Sequence, residues 1–221
     1  MRHLLTKKYE PLHSATFKDL TKKALFLVAL ATAKRVRELQ GVFRIASFSN
    51  GDAFSQYLPE FVPKTDSVDH SIPRDFRIKA LTRIVTRDDP EWKLCPVRAL
   101  QYYLKAIDKR LNHPRNLFAQ FEDETKAMSK NSLSYLLRIL IKEAHETQPE
   151  ADYPRGDIRA HSIRMVATFL NFMKNRSIAK VMEAATWRGN TTFTSLYLKD
   201  VERIYEHCRS LDPINARNTQ L

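Results

Sequence analysis

Three stretches of this chain repeat their apolar residues at helical spacing, and the first of them constrains the fold most. Phe17, Leu20, Ala24, Leu27, Val28 and Ala31 recur at three- and four-residue intervals, which puts them on one face of a helix from Thr16 to Gln40. A stripe that broad needs other elements to cover it. Two more helices offer themselves. Cys95-Pro96 opens one, since proline is tolerated in a first helical turn, and Val97, Leu100, Tyr103, Leu104 and Ile107 form its stripe. Ser129 is placed to cap another, from Lys130 to Ala144, that carries Leu133, Leu136, Leu137, Leu140 and Ile141. Gly41 fits the end of the first helix, so Arg35, Arg37 and Glu38 are expected in its last two turns.

Between the first and second helices the period changes. Short alternating runs occupy Val42 to Ile84, broken at Asn50-Gly51, a strong hairpin dipeptide. The expected strands lie near Val42 to Phe48, Gln56 to Val62 and Phe76 to Ile78, with Lys64 at or near a strand end. Further on, Asn112 to Lys126 reads as a loop anchored by Leu117-Phe118, and His145 to Gly156 as a second loop. A helix starting at Asp157 or Arg159 bears His161 and Arg164, and two more are expected over Ser177 to Ala185 and Thr192 to His207. The sum is a mainly α (α+β) domain with a small antiparallel β-sheet at its edge, covering residues 16–209. A basic lead-in or linker (residues 1–15) precedes it and a polar tail (residues 210–221) follows.

With 37 Lys and Arg against 25 Asp and Glu, a formal charge of +12 and a pI near 9.8, the partner to expect is a polyanion, nucleic acid first and an anionic membrane surface second. The longest apolar run, Ala24 to Ala33, is far too short to span a bilayer. Only four glycines occur, and no phosphate-cradling loop can be assembled from them. Cys95 and Cys208 show no paired spacing with histidine, so neither zinc nor a disulfide framework is indicated. That pattern points to a reducing compartment, the nucleus in a eukaryote or the cytoplasm in a bacterium. Asp88-Asp89 and Glu122-Asp123-Glu124 are runs of neighbours in loops, more typical of solvated charge than of magnesium ligands.

Phosphodiester chemistry without a metal needs cations on the non-bridging oxygens, a nucleophile and a proton donor for the leaving oxygen. Arginine suits the first task, because its planar fork bonds two oxygens and its charge does not titrate. Arg164 lies one helical turn from His161, and Arg35 is the best-placed second arginine.

The segments Ala31-Thr-Ala-Lys-Arg35-Val-Arg-Glu38-Leu39 and His161-Ser-Ile-Arg164, followed by Trp187 and Tyr197, resemble the catalytic domain of the tyrosine recombinases, the phage-integrase family. The match spans nearly the whole chain, in the family's order. Within the family, Pro63-Lys64-Thr65, Cys95-Pro-Val-Arg-Ala-Leu and Ala185-Thr-Trp are similar to recombinases of eukaryotic mobile elements, the tyrosine-recombinase retrotransposons and Cryptons. The resemblance implies that Tyr197 attacks the scissile phosphate of duplex DNA, leaving a 3′-phosphotyrosyl link and a 5′-hydroxyl. Arg35 and Arg164 clamp the phosphate, His161 assists proton transfer or orients the phosphate, and Lys64 protonates the leaving oxygen. Trp187 stands where many members have histidine; its indole N–H donates but cannot shuttle a proton. Glu38 orients His161 or Arg35. No ATP, cofactor or metal is implied, and a homotetramer is the expected synaptic assembly, with a monomer possible for the isolated domain.

Each residue has a plainer reading: Arg35 as a solvated helix-end cation, Lys64 as an edge-strand lysine with Lys79 its rival, Trp187 as core, and Tyr205 as a rival to Tyr197. Many family members also carry an N-terminal DNA-clamping domain, which fifteen residues cannot form, so the chain is expected to be an excised fragment or to work without that clamp. The rival functions are a type IB topoisomerase and a domesticated DNA-binding protein that keeps the fold without the chemistry.

Overall fold

The computed structural model describes residues 4–44, 47–62, 75–110, 112–146, 159–160, 162–164 and 166–168. The chain divides into two compact units, Met1–Thr168 and Phe169–Leu221, a boundary that falls inside the segment expected as one domain. The second unit lies outside the described residues, and with it the helices expected after Ser177 and the polar tail.

The first unit is a helical body with a small sheet. Helix α1 (Phe17–Thr32) starts at Thr16, whose hydroxyl accepts the Asp19 amide, and buries its apolar stripe against α3 (Pro96–Asp108) and α4 (Lys130–Glu146). Proline in the first turn of α3 and the Ser129 hydroxyl, which accepts the Ser132 amide at 3.0 Å, start those two helices where the sequence places them. The loop between them is held by its apolar anchor. Leu117 and Phe118 are buried, and the Tyr103 hydroxyl donates to the Leu117 carbonyl at 2.9 Å while accepting the Ala119 amide.

The sheet contains β1 (Ser47–Ser49), β2 (Asp52–Gln56) and β3 (Asp75–Ile78), antiparallel and in that order. Asn50 and Gly51 form its hairpin turn with φ of 50° and 82°. Two residues with positive φ give the turn whose twist matches the strands, so β2 begins at Asp52 rather than near Gln56. The chain past Gln56 leaves the sheet. Tyr57 bridges back to Val42, and the Leu58 amide bonds the Gly41 carbonyl. Buried Asp52 ties β2 to β3, accepting from the Arg77 guanidinium and from the Ala80 amide at 2.7 Å.

Two further expectations are corrected. The first residues are not a loose lead-in, because Leu4, Leu5, Tyr9 and Leu12 are buried in the core. Lys23, fully buried on α1, donates to the Leu5 carbonyl at 2.7 Å and to Glu10 at 2.5 Å, and Arg98 of α3 clasps both Glu10 oxygens. Nor is Thr16 to Gln40 one helix. Ala33 adopts the left-handed conformation (φ 51°), Arg35 is extended, and a second short helix, α2 (Val36–Gln40), follows. The apolar spacing runs across the break, which is why periodicity alone misses it. What starts α2 is a side chain: the Glu38 carboxylate accepts the Arg35 amide at 2.6 Å, as the third residue of a helix does in a capping box.

Candidate phosphate-binding cleft

That break shapes a cleft of about 530 Å³. Its walls come from the α1–α2 junction, from α4 and from Arg159, Ala160, Ile163 and Arg164. Seven cationic side chains line it, Lys34, Arg35, Arg37, Lys130, Arg138, Arg159 and Arg164, and none of the described residues lining it is acidic. Leu39, Leu137 and Ile163 supply its apolar floor.

Glu38 is the carboxylate on which the arginines are organised. It is buried at 2% exposure. Besides the Arg35 amide it takes the Arg35 guanidinium at 3.1 Å on one oxygen, and the Arg164 guanidinium lies 3.5 Å from the other. Arg164 is itself buried at 2%, whereas the Arg35 side chain keeps 29% of its surface open to the cleft. Around this carboxylate the described lining of the cleft brings seven cations and no acid, and the buried position of Arg164 limits how far water disperses its charge. Such a place suits an anion with several oxygens.

Of the residues singled out in the sequence, Arg35, Glu38 and Arg164 meet here. Lys64, His161, Trp187 and Tyr197 lie outside the described residues. Lys34, Lys130, Arg138 and Arg159 are additional cations that the sequence argument passed over. For the α4 pair a signal was present: Lys130, Ser134 and Arg138 stand four residues apart, on one face of a helix whose other face is apolar. Lys34 differs from the rest chemically. Burial is the largest influence on its ammonium, and with the repulsion of Arg164 it outweighs the pull of Glu38 and lowers the pKa to about 8. Among the described residues no group of three or more His, Cys, Asp or Glu side chains is placed to hold a metal ion.

This mainly α fold with a small antiparallel sheet is similar to that of a solved protein described as XerH site-specific recombinase bound to palindromic difH substrate, in a post-cleavage complex. The TM-score is 0.61 over 94% of this chain and 50% of that one, at 15% sequence identity. The chain therefore spans about half the length of that neighbour, and at this identity the likeness is one of fold. No protein-family model matches the sequence, and no curated protein sequence matches it.

Proposed function

We propose that this chain is a tyrosine-type DNA strand transferase, a site-specific recombinase that cuts and rejoins duplex DNA through a 3′-phosphotyrosyl intermediate. The observation that carries the reading is the basic cleft in which Arg35 and Arg164 converge on Glu38. The fold likeness to a site-specific recombinase supports it, as does the order of motifs in the sequence. In this reading Arg35 and Arg164 hold the non-bridging oxygens and offset charge that grows as the phosphorus becomes five-coordinate. Glu38 touches no substrate. It positions the two guanidiniums.

Tyr197 is the nucleophile, Lys64 the donor to the leaving 5′-oxygen, and His161 and Trp187 complete the hydrogen bonds around the phosphate. These four assignments rest on the sequence. So do the affiliation with eukaryotic mobile elements, a nuclear location and an assembly of four protomers on two duplexes.

A suicide duplex tests the reading: the fragment released by cleavage diffuses away, and the covalent adduct is counted after denaturation. Adduct is expected with the wild-type chain and none with Tyr197→Phe. Equal adduct in both would remove Tyr197 from its role. Relaxation of supercoiled plasmid without strand exchange between duplexes would instead mark a topoisomerase.

A further inference from the structure

We propose that Lys34 bonds a phosphate oxygen in the cleft beside Arg35, as a third cation on the phosphodiester that Arg35 and Arg164 hold. The proposal rests on the reading that this cleft takes duplex DNA. Its basis is where the ammonium sits. Nζ lies 4.2 Å from the centre of the Phe76 ring and 4.9 Å from that of Tyr57, so two aromatic faces cover one side of it. The other side opens on the cleft. Ordinary lysines are either hydrated at the surface or paired with a carboxylate. Among the described residues Lys34 makes neither an ion pair nor a hydrogen bond, and the nearby carboxylate, Glu38, is engaged by both arginines. A ring attracts a cation without accepting a full hydrogen bond, so the ammonium retains N–H groups for an incoming oxygen.

The seat is itself well fixed. Tyr57 packs on Phe61 and Phe76 with ring centres 5.0 and 5.6 Å apart. Phe61 lies against Gly41, where a Cβ would come within 2.3 Å of the ring. Tyr57 follows the last residue of β2 and Phe76 belongs to β3, so Lys34 joins the helix junction to both sides of the connection that contains Lys64 in sequence.

The lowered pKa of Lys34 gives the proposal a readout that the arginines cannot produce. An ammonium that titrates near pH 8 in the free protein is held protonated by the bound phosphodiester anion, so binding takes up a proton as the pH rises through that value. The sign follows: the contribution of Lys34 to affinity is full well below pH 8 and is lost well above it. From pH 7 to pH 9 the protonated fraction of such a lysine falls about tenfold, and the affinity falls with it. Among the described residues, the charged groups that face Lys34 are Arg35, Glu38 and Arg164, with the Tyr57 phenol beside them. Arg35 and Arg164 stay charged, and burial raises the Tyr57 phenol well above its ordinary value.

The test is fluorescence anisotropy with a short labelled duplex at fixed salt, using the full chain as wild type, Lys34→Arg and Lys34→Met, each checked for an unchanged melting transition. Wild-type affinity is expected to drop about tenfold between pH 7 and pH 9. Lys34→Arg, whose guanidinium also stacks on rings, should keep the pH 7 affinity and lose most of that drop. Lys34→Met should bind more weakly at pH 7 and match the wild type at pH 9. If the wild type binds but the arginine variant has the same pH slope, or the methionine variant equals wild type at pH 7, Lys34 does not touch the phosphate. If the wild type binds duplex at neither pH, the reading of the cleft falls and this proposal falls with it.

Discussion

At the scale of single residues, Glu38 has the largest share in the cleft's geometry. It starts α2 through the Arg35 amide, holds the Arg35 side chain and pairs with Arg164. Removing one partner of a buried ion pair leaves the other buried and uncompensated, a loss of about 3–5 kcal/mol in general. Here Arg35 has partial access to water and recovers some of that loss, so Glu38→Ala is expected near the lower end, about 3 kcal/mol. Glu38→Gln keeps an oxygen for the Arg35 amide and should lose less. Urea denaturation measures both, and an unchanged midpoint for the alanine variant would show that the arginines do not depend on this carboxylate. The pairing was only partly legible beforehand. Arg35 and Glu38 stand three residues apart and could be linked from sequence, although a continuous helix would have put Arg35 inside it. The contact with Arg164, 126 positions further on, needed coordinates.

At the scale of elements, α1, α3 and α4 follow from periodicity and capping residues because their stripes and starts are local properties. The N-terminal segment does not. Its seat on the helices depends on charged residues whose partners are remote, namely Glu10 with Lys23 and Arg98, and Lys8 and Tyr9 with Glu143 of α4. Glu143 shows how firmly such links hold. Burial alone raises its pKa, but hydrogen bonds from Lys22, Lys8 and Tyr9 outweigh that and bring it down to about 2. A carboxylate whose folded pKa is depressed stabilises the fold above its unfolded value, about 4.3, and the contribution fades as pH falls toward 2. Stability measured by urea denaturation should therefore decline between pH 4.5 and pH 2. Glu143→Gln should lower stability at pH 7, by about 1 kcal/mol once solvent screening of the exposed Lys8 partner is allowed for, and reduce the slope of that decline. Parallel wild-type and variant curves across the acid range would mean that Glu143 does not couple the N-terminal segment to α4.

At the scale of the whole molecule, an excess of twelve positive charges says that a polyanion is attracted but not where it lies. The cleft gathers cations from three separated parts of the chain, the α1–α2 junction, α4 and the pair Arg159 and Arg164, and composition contains no record of that gathering. Distribution of charge, rather than its sum, decides how a duplex is held. Along α4 the exposed Lys130 and Arg138 flank Ser134, with about 6 Å between successive members of the row, close to the separation of neighbouring phosphates. In the proposed complex this row meets backbone phosphates next to the scissile one and carries no base information. Each phosphate neutralised releases counterions, so the logarithm of affinity falls with the logarithm of salt by about 0.9 per contact. Lys130→Gln and Arg138→Gln should each weaken binding to unrelated duplexes alike and reduce that slope by about one. Because both side chains are exposed and stand outside the Arg35–Glu38–Arg164 cluster, thermal stability should stay within about 0.5 kcal/mol of wild type. Anisotropy titrations across a salt series give the slopes. If they match the wild type while the fold is intact, the duplex passes elsewhere and the row on α4 is ordinary surface charge.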